Sequence, residues 1–196
     1  EAAERTAAAL NRFLQRSHTV LAEHPINQER SRQGLAPASG LLTRGAGRVQ
    51  SVESLFARLG LRGAVVAGDR TVLGLGTLLG FTPVVTPLFT ALPDTDFGAK
   101  LAAVREALQT HDIVWLHAKG SDIAAHDRCP EKKRDYLERL DRALVAVEAD
   151  DLAVAVAADH TTDSNTGRHT SDPVPALIRV PGGRSDHIET FGERAC

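Results

Sequence analysis

Residues 112–160 read DIVWLHAKGSDIAAHDRCPEKKRDYLERLDRALVAVEADDLAVAVAADH, and their patterning decides the fold class. Asp112–Ala118 is a continuous apolar strand, of the kind found in a parallel sheet covered on both faces. Pro130–Ala149 follows, with Pro130 near its first turn and Tyr136, Leu137, Leu140, Leu144 and Val147 on one face, which predicts a long amphipathic helix. Leu152–Ala158 is the next buried strand. Strand, helix and strand in this order predict a right-handed parallel βαβ unit whose strand ends, at Lys119 and Asp159, open on one edge of the sheet.

The same alternation extends upstream. Lys100–Thr110 reads as a helix, the TPVVTP run at 82–87 as extended chain, and TVLGLGTLLGF at 71–81 as a helix packing closely through Gly74 and Gly76. GAVVAG at 63–68 is a buried strand bounded by glycines, and Val52–Leu59 a short helix. Residues 3–23 place Ala9, Leu10, Phe13, Leu14, Val20 and Leu21 near helical spacing, stopping before Pro25, and a Gly- and Pro-rich stretch runs from Gly34 to Gly47. Downstream, PALIRV at 175–180 is a last strand. The fold class is therefore α/β, with a mostly parallel sheet flanked by helices.

Composition narrows the function. With 196 residues, 42% hydrophobic, the chain can bury a real core. Its 23 basic and 25 acidic side chains leave a net charge of -2, and aromatics are 4%, so neither an electrostatic grip on nucleic acid or membrane nor a base-stacking platform is indicated. The expected partner is a small molecule. Cys129 and Cys196 lie far apart without CxxC spacing, and no apolar run approaches the roughly 20 residues that span a bilayer, so a soluble cytoplasmic protein is expected. The chain starts at Glu1, contains no Met and stops at GERAC, which reads as a piece of something longer.

The chemistry sits where the strands end. SDIAAHDR places Asp122 and His126 four residues apart, ADHTTD places Asp159 beside His160, and His169 follows nine residues later in RHTSDPVP. A lone DxxxH pair is more often a solvated loop or a helix cap than a ligand pair. Three such signals at successive strand ends reverse those odds, because open α/β sheets carry their sites in that crevice. Carboxylate with imidazole suits Mn2+, Zn2+, Co2+ or Fe2+ better than Ca2+, which prefers oxygen alone.

At these residues the chain resembles a known family. HAKGSDIAAHD, AVAADHTTDSNTGRHTSDPVPALI and the upstream HPINQERSRQGLAPASGLLTRGAG are similar to the cofactor-independent phosphoglycerate mutases, archaeal-type branch, of the alkaline phosphatase superfamily. The resemblance runs from about Thr6 to the final residue. It implies an alkaline-phosphatase-like sheet, incomplete here, with a smaller inserted α/β lid domain at residues 1–98 and the C-terminal part of the catalytic domain at 99–196. It also implies two divalent ions, Mn2+ first, with Zn2+, Co2+ and Mg2+ as alternatives: one held by Asp122, His126 and His169, the other by Asp159 and His160 with residues outside the chain. The implied reaction interconverts 3- and 2-phosphoglycerate through a phosphoserine on a Ser that also lies outside, so this chain alone is expected to be inactive, with the absent half or other chains as partners.

Local departures are Ala125, Asp127 and Arg128 around the DxxxH motif and the ASG at 38–40. Lys119 is a candidate for stabilising transferring charge, against an equal weight for a solvated lysine. His24, Arg30 and Arg44 are candidates for gripping the substrate, since Arg forks bind carboxylate and phosphate bidentately. Asp94 and Asp96 read equally as helix caps, and His117 as a hydrogen-bonded core residue. Two alternatives stand beside the mutase: a phosphatase or phosphonate hydrolase of the same superfamily, and a non-catalytic metal-binding homologue.

Overall fold

The structure, a computed structural model, describes residues 1–48, 52–147 and 151–192, without the side chains of Leu55 and Val147. Cys196, and the Val147 side chain expected on the amphipathic face, lie outside what is described. The chain divides into two compact units, Glu1–Gln50 and Ser51–Cys196, and residue 98, the boundary expected from the sequence, falls within the second.

The first unit is helical. α1 (Ala2–Glu23) ends before Pro25 as expected, and α2 (Pro25–Arg32) follows at once, a helix the sequence reading lacked. Buried Asn27 donates through Nδ2 to the carbonyls of Leu21 and Ala38, at 2.7 and 2.9 Å, and accepts from the Ala38 amide at 2.9 Å. One amide thus ties the ASG stretch back onto both helices.

The second unit begins with α3 (Leu55–Arg58), then β1 (Gly63–Val66), α4 (Arg70–Leu78), β2 (Phe81–Val84), α5 (Phe97–Ala107) and β3 (Ile113–Leu116). β1 is the central strand of a parallel sheet in the order β2-β1-β3, and Ala64, Val65 and Val66 are wholly buried. Because β1 pairs with strands from both sides of residue 98, these segments share one core, in which Val66, Phe89 and Val104 pack together. α4 lies close over β1 because Gly76 has no side chain: a Cβ there would sit 2.8 Å from Val65 Cγ1. Gly74, expected to share that role, has nothing within 4 Å. Asp96 caps α5, accepting from the Ala99 amide at 2.8 Å, which settles its alternatives in favour of the cap.

Beyond β3 come α6 (Gly120–His126), α7 (Pro130–Leu144), β4 (Val154–Ala157), β5 (Thr161–Asp163), β6 (Arg168–Thr170) and β7 (Ala176–Arg179). Here the topology corrects the expectation. β4 does not pair with β3 in a parallel unit; it pairs antiparallel with β7, and β5 with β6 forms an antiparallel hairpin. The physical reason is that pairing direction is set by contacts with β7, about twenty residues downstream, which the local apolar pattern of β4 does not encode. Within the described residues, no helix is long and apolar enough to cross a membrane.

Candidate metal centre

α6 leaves the C-terminal end of β3 and presents two of the expected ligands one turn apart, Asp122 in its first turn and His126 in its last. The β5–β6 hairpin delivers the third, with His169 directly opposite Thr162 across the ladder. A tight turn closes the hairpin. Asp163 accepts from the Asn165 amide at 2.9 Å and from the Thr166 hydroxyl at 2.8 Å, and Gly167 adopts a φ of 68°. Gly167 also lies against the end of α6, where a Cβ would come within 2.9 Å of the His126 carbonyl oxygen.

The three side chains converge. His126 Nε2 lies 3.0 Å from His169 Nε2 and 3.3 Å from Asp122 Oδ1, and His169 Nε2 lies 3.7 Å from the same carboxylate oxygen. Donor atoms bound to one ion at about 2.0–2.2 Å stand about 3 to 3.6 Å apart, so the triangle has the size of a shared coordination sphere. Its protonation fits as well. His126 Nδ1 is 2.8 Å from the Gly167 carbonyl, which can only accept, so Nδ1 carries the proton and Nε2 the lone pair. His126 Nε2 thus faces His169 Nε2 at 3.0 Å as an acceptor: a hydrogen on His169 Nε2 makes this an N–H···N bond, and with both nitrogens unprotonated the pair offers two donors to one cation.

His160 joins the edge of the cluster, its ring stacked on His169 with centroids 3.7 Å apart. One ring nitrogen each from His160 and His169 and a carboxylate oxygen of Asp122 lie within 4.8 Å of one another. Asp159 stands apart, its side chain 89% exposed, with Oδ2 3.5 Å from His160 Nε2.

Lys119, the residue before α6, places Nζ 3.2 Å from Asp122 Oδ2 and 4.0 Å from Asp69 Oδ2. Burial would raise the Asp122 pKa, but hydrogen bonds from Thr162 and Lys119 and the Lys119 charge outweigh it and hold the carboxyl below the usual range. Burial lowers the His117 pKa as well, with the charges of Asp69, Lys100, Lys119 and Asp159 as smaller influences.

The substrate candidates belong to the first unit. His24 caps α2, its Nδ1 accepting from the Ile26 amide at 3.3 Å; Arg30 Nε donates to the Ala36 carbonyl at 3.0 Å; Arg44 is exposed. The sequence reading missed Asp69, Thr162 and the buried Lys100, whose Nζ donates to the carbonyls of His117 and Thr90 at 3.1 and 3.4 Å. Asp69 ends the GAVVAG run as a cap residue, and Thr162 stands inside ADHTTD, so both carried a signal; Lys100 carried none.

The model of the metalloenzyme superfamily matches residues 11–195, which is nearly the whole chain and includes every residue of the cluster. This chain belongs to the metalloenzyme superfamily. Among its relatives, the 2,3-bisphosphoglycerate-independent phosphoglycerate mutase of Methanopyrus kandleri is 39% identical over 197 residues, covering 98% of this chain and 47% of the relative. The enzyme so named from Thermococcus kodakarensis is 36% identical over 201 residues, covering 100% of this chain and 49% of its own. The PH0037 protein of Pyrococcus horikoshii superposes with a TM-score of 0.88 at 32% identity, over 97% of this chain and 51% of that one. The cofactor-independent phosphoglycerate mutase of Thermoplasma acidophilum superposes with a TM-score of 0.59 at 26% identity, over 97% and 47%. This metalloenzyme-superfamily chain spans about half the length of the curated relatives it matches.

Proposed function

We propose that this chain supplies the metal-holding half of a cofactor-independent phosphoglycerate mutase. The observation that carries the reading is the closed triangle of Asp122, His126 and His169 in a chain 39% identical to enzymes of that name. Asp122, His126 and His169 would hold one divalent ion and Asp159 with His160 contribute to a second, Mn2+ being the first choice and Zn2+, Co2+ or Mg2+ the alternatives. Such ions clamp a phosphoryl group and lower the pKa of an attacking hydroxyl.

The chain's own residues do the rest. Gly167 and Thr162 orient the His126 ring and the Asp122 carboxylate, and Lys119 sets a positive charge beside that carboxylate, where it lowers the net negative charge met by a phosphate. The phosphoryl-accepting Ser would come from outside these residues, because Ser121 precedes Asp122 within α6 and is not at the place the resemblance gives to the nucleophile. We assign the first unit, with His24, Arg30 and Arg44, to the part that closes over phosphoglycerate, and place the protein in the cytoplasm, among the soluble phosphorylated acids of glycolysis.

Calorimetric titration of the 196-residue chain with Zn2+ and Mn2+ tests the centre: binding is expected, and its loss in His126→Ala. The complete protein should convert 3- to 2-phosphoglycerate without releasing inorganic phosphate. Phosphate release in place of isomerisation would make it a phosphatase.

A further inference from the structure

Thr162 is a nearly inaccessible residue, 4% exposed, that the reading above uses only in passing, and its hydroxyl touches both groups of candidate ligands. Oγ1 lies 2.7 Å from Asp122 Oδ1 and 3.3 Å from His160 Nδ1. A hydroxyl has one proton to give and lone pairs to accept with. Asp122 Oδ1 only accepts, and at 2.7 Å the contact is a charge-assisted O–H···O bond, so the proton goes there. The second contact then requires His160 Nδ1 to carry a hydrogen and donate it.

The opposite order fails. If His160 Nδ1 accepted from Thr162, the 2.7 Å approach of two oxygens would contain no proton, and the ring's other hydrogen would point at Asp159 Oδ2 across 3.5 Å, too long for a charge-assisted bond.

We infer that Thr162 is a positioning residue whose directional relay, from His160 Nδ1–H to Oγ1 and from Oγ1–H to Asp122, commits His160 Nε2 as the metal-binding nitrogen on the Asp159 side. The 3.5 Å between Nε2 and Asp159 Oδ2 has the size of two donors on one ion. The grouping of His160 with Asp122 and His169 within 4.8 Å is then a neighbourhood of two centres joined through one hydroxyl. This rests on the metal reading proposed above, but the relay itself exists without metal.

Two measurements on the 196-residue chain separate the two claims. Long-range proton–nitrogen spectra of the 15N-labelled protein read each ring's tautomer. His160 is expected with hydrogen on Nδ1 in the wild type and in Thr162→Ser, and to move toward the Nε2–H form in Thr162→Val. Zn2+ titration is expected to show affinity about 10- to 100-fold weaker in Thr162→Val and near wild type in Thr162→Ser, as for other groups that orient a ligand. A wild-type His160 protonated on Nε2 overturns the relay and needs no variant, should valine at 162 fail to fold. An unchanged tautomer in Thr162→Val overturns it too. A wild type that keeps the Nδ1–H form but binds no Zn2+ supports the relay and removes the metal reading instead.

Discussion

Gly120 opens α6, two residues before Asp122, and adding one methyl there should disturb fold and centre together. A Cβ at Gly120 would stand 2.3 Å from Tyr136 Cε2, 2.8 Å from Tyr136 Cδ2 and 2.8 Å from Pro93 Cα. Carbon atoms rest at about 3.5–4.0 Å, so something must move by roughly 1.2 Å or more. Tyr136 has nowhere to go, being 1% exposed and packed against Phe97 with ring centroids 5.0 Å apart, and Pro93 offers backbone. Overpacking costs about 1–3 kcal/mol, here toward the upper end, while the gain of alanine over glycine in a helix offsets at most about 1 kcal/mol.

Gly120→Ala should therefore lose about 2 kcal/mol, or about 4–8 °C in Tm for a chain of this size. Gly74→Ala is the matched control, because nothing lies within 4 Å of its Cβ; it should gain about 0.5–1 kcal/mol. Urea unfolding followed by circular dichroism measures both. Zn2+ titration of Gly120→Ala should show weakened binding, since α6 cannot shift by an ångström and keep its edges of 3.0 to 3.7 Å to His169. An unfolding midpoint equal to the wild type's would refute the steric argument, and so would a Tyr136→Leu background in which the added methyl costs just as much.

His126→Ala removes a direct donor and should weaken Zn2+ binding by at least about 100-fold in calorimetry, beyond what changes in orienting groups produce. Asp96→Ala should cost about 1 kcal/mol in urea unfolding through loss of the α5 cap, with metal affinity unaltered. Burial holds the His117 pKa below its ordinary value of about 6.5, so the unfolded chain takes up the proton first. Its contribution to stability is complete above about pH 6.5 and is lost as pH falls from there through the folded value. His117→Gln should flatten that part of the stability–pH curve, and a slope unchanged by the substitution would place the titration elsewhere.

The parts of this fold legible in the sequence are those in which local pattern and final environment coincide. β1 is apolar at every position and buried at every position, so GAVVAG could be read directly. Asp122 and His126 share a helix face by spacing alone. Strand pairing has no such local mark. The order strand–helix–strand suggested that β4 would lie parallel in the main sheet, whereas it pairs antiparallel with β7 over Val154–Ala157. The run LAVAVAA at 152–158 is apolar throughout and carries no mark of its partner, since pairing direction is set by contacts distant in sequence. The residue-98 boundary had the same weakness. A segment rich in turns around Pro93 looks like a junction, and only the pairing of β1 with both β2 and β3 shows one sheet running across it.

The hairpin is the more consequential omission, because it brings candidate ligands distant in sequence into one cluster. DSNTG at 163–167 carries the composition of an Asx turn closed by a left-handed glycine, and reading it as a turn would have set Thr162 opposite His169. With that register, side chains at 162 and 169 share one face of a two-stranded ladder, and this face meets α6. The turn itself then completes the site from the other side. Gly167 approaches the end of α6 as only a residue without Cβ can, and its carbonyl takes the His126 Nδ1 hydrogen. Backbone at 167 and hydroxyl at 162 thus govern opposite ends of α6, orienting the imidazole at its last turn and the carboxylate at its first. The DxxxH spacing supplies two donors on a helix face, but their aim is set by a hairpin about forty residues away in sequence.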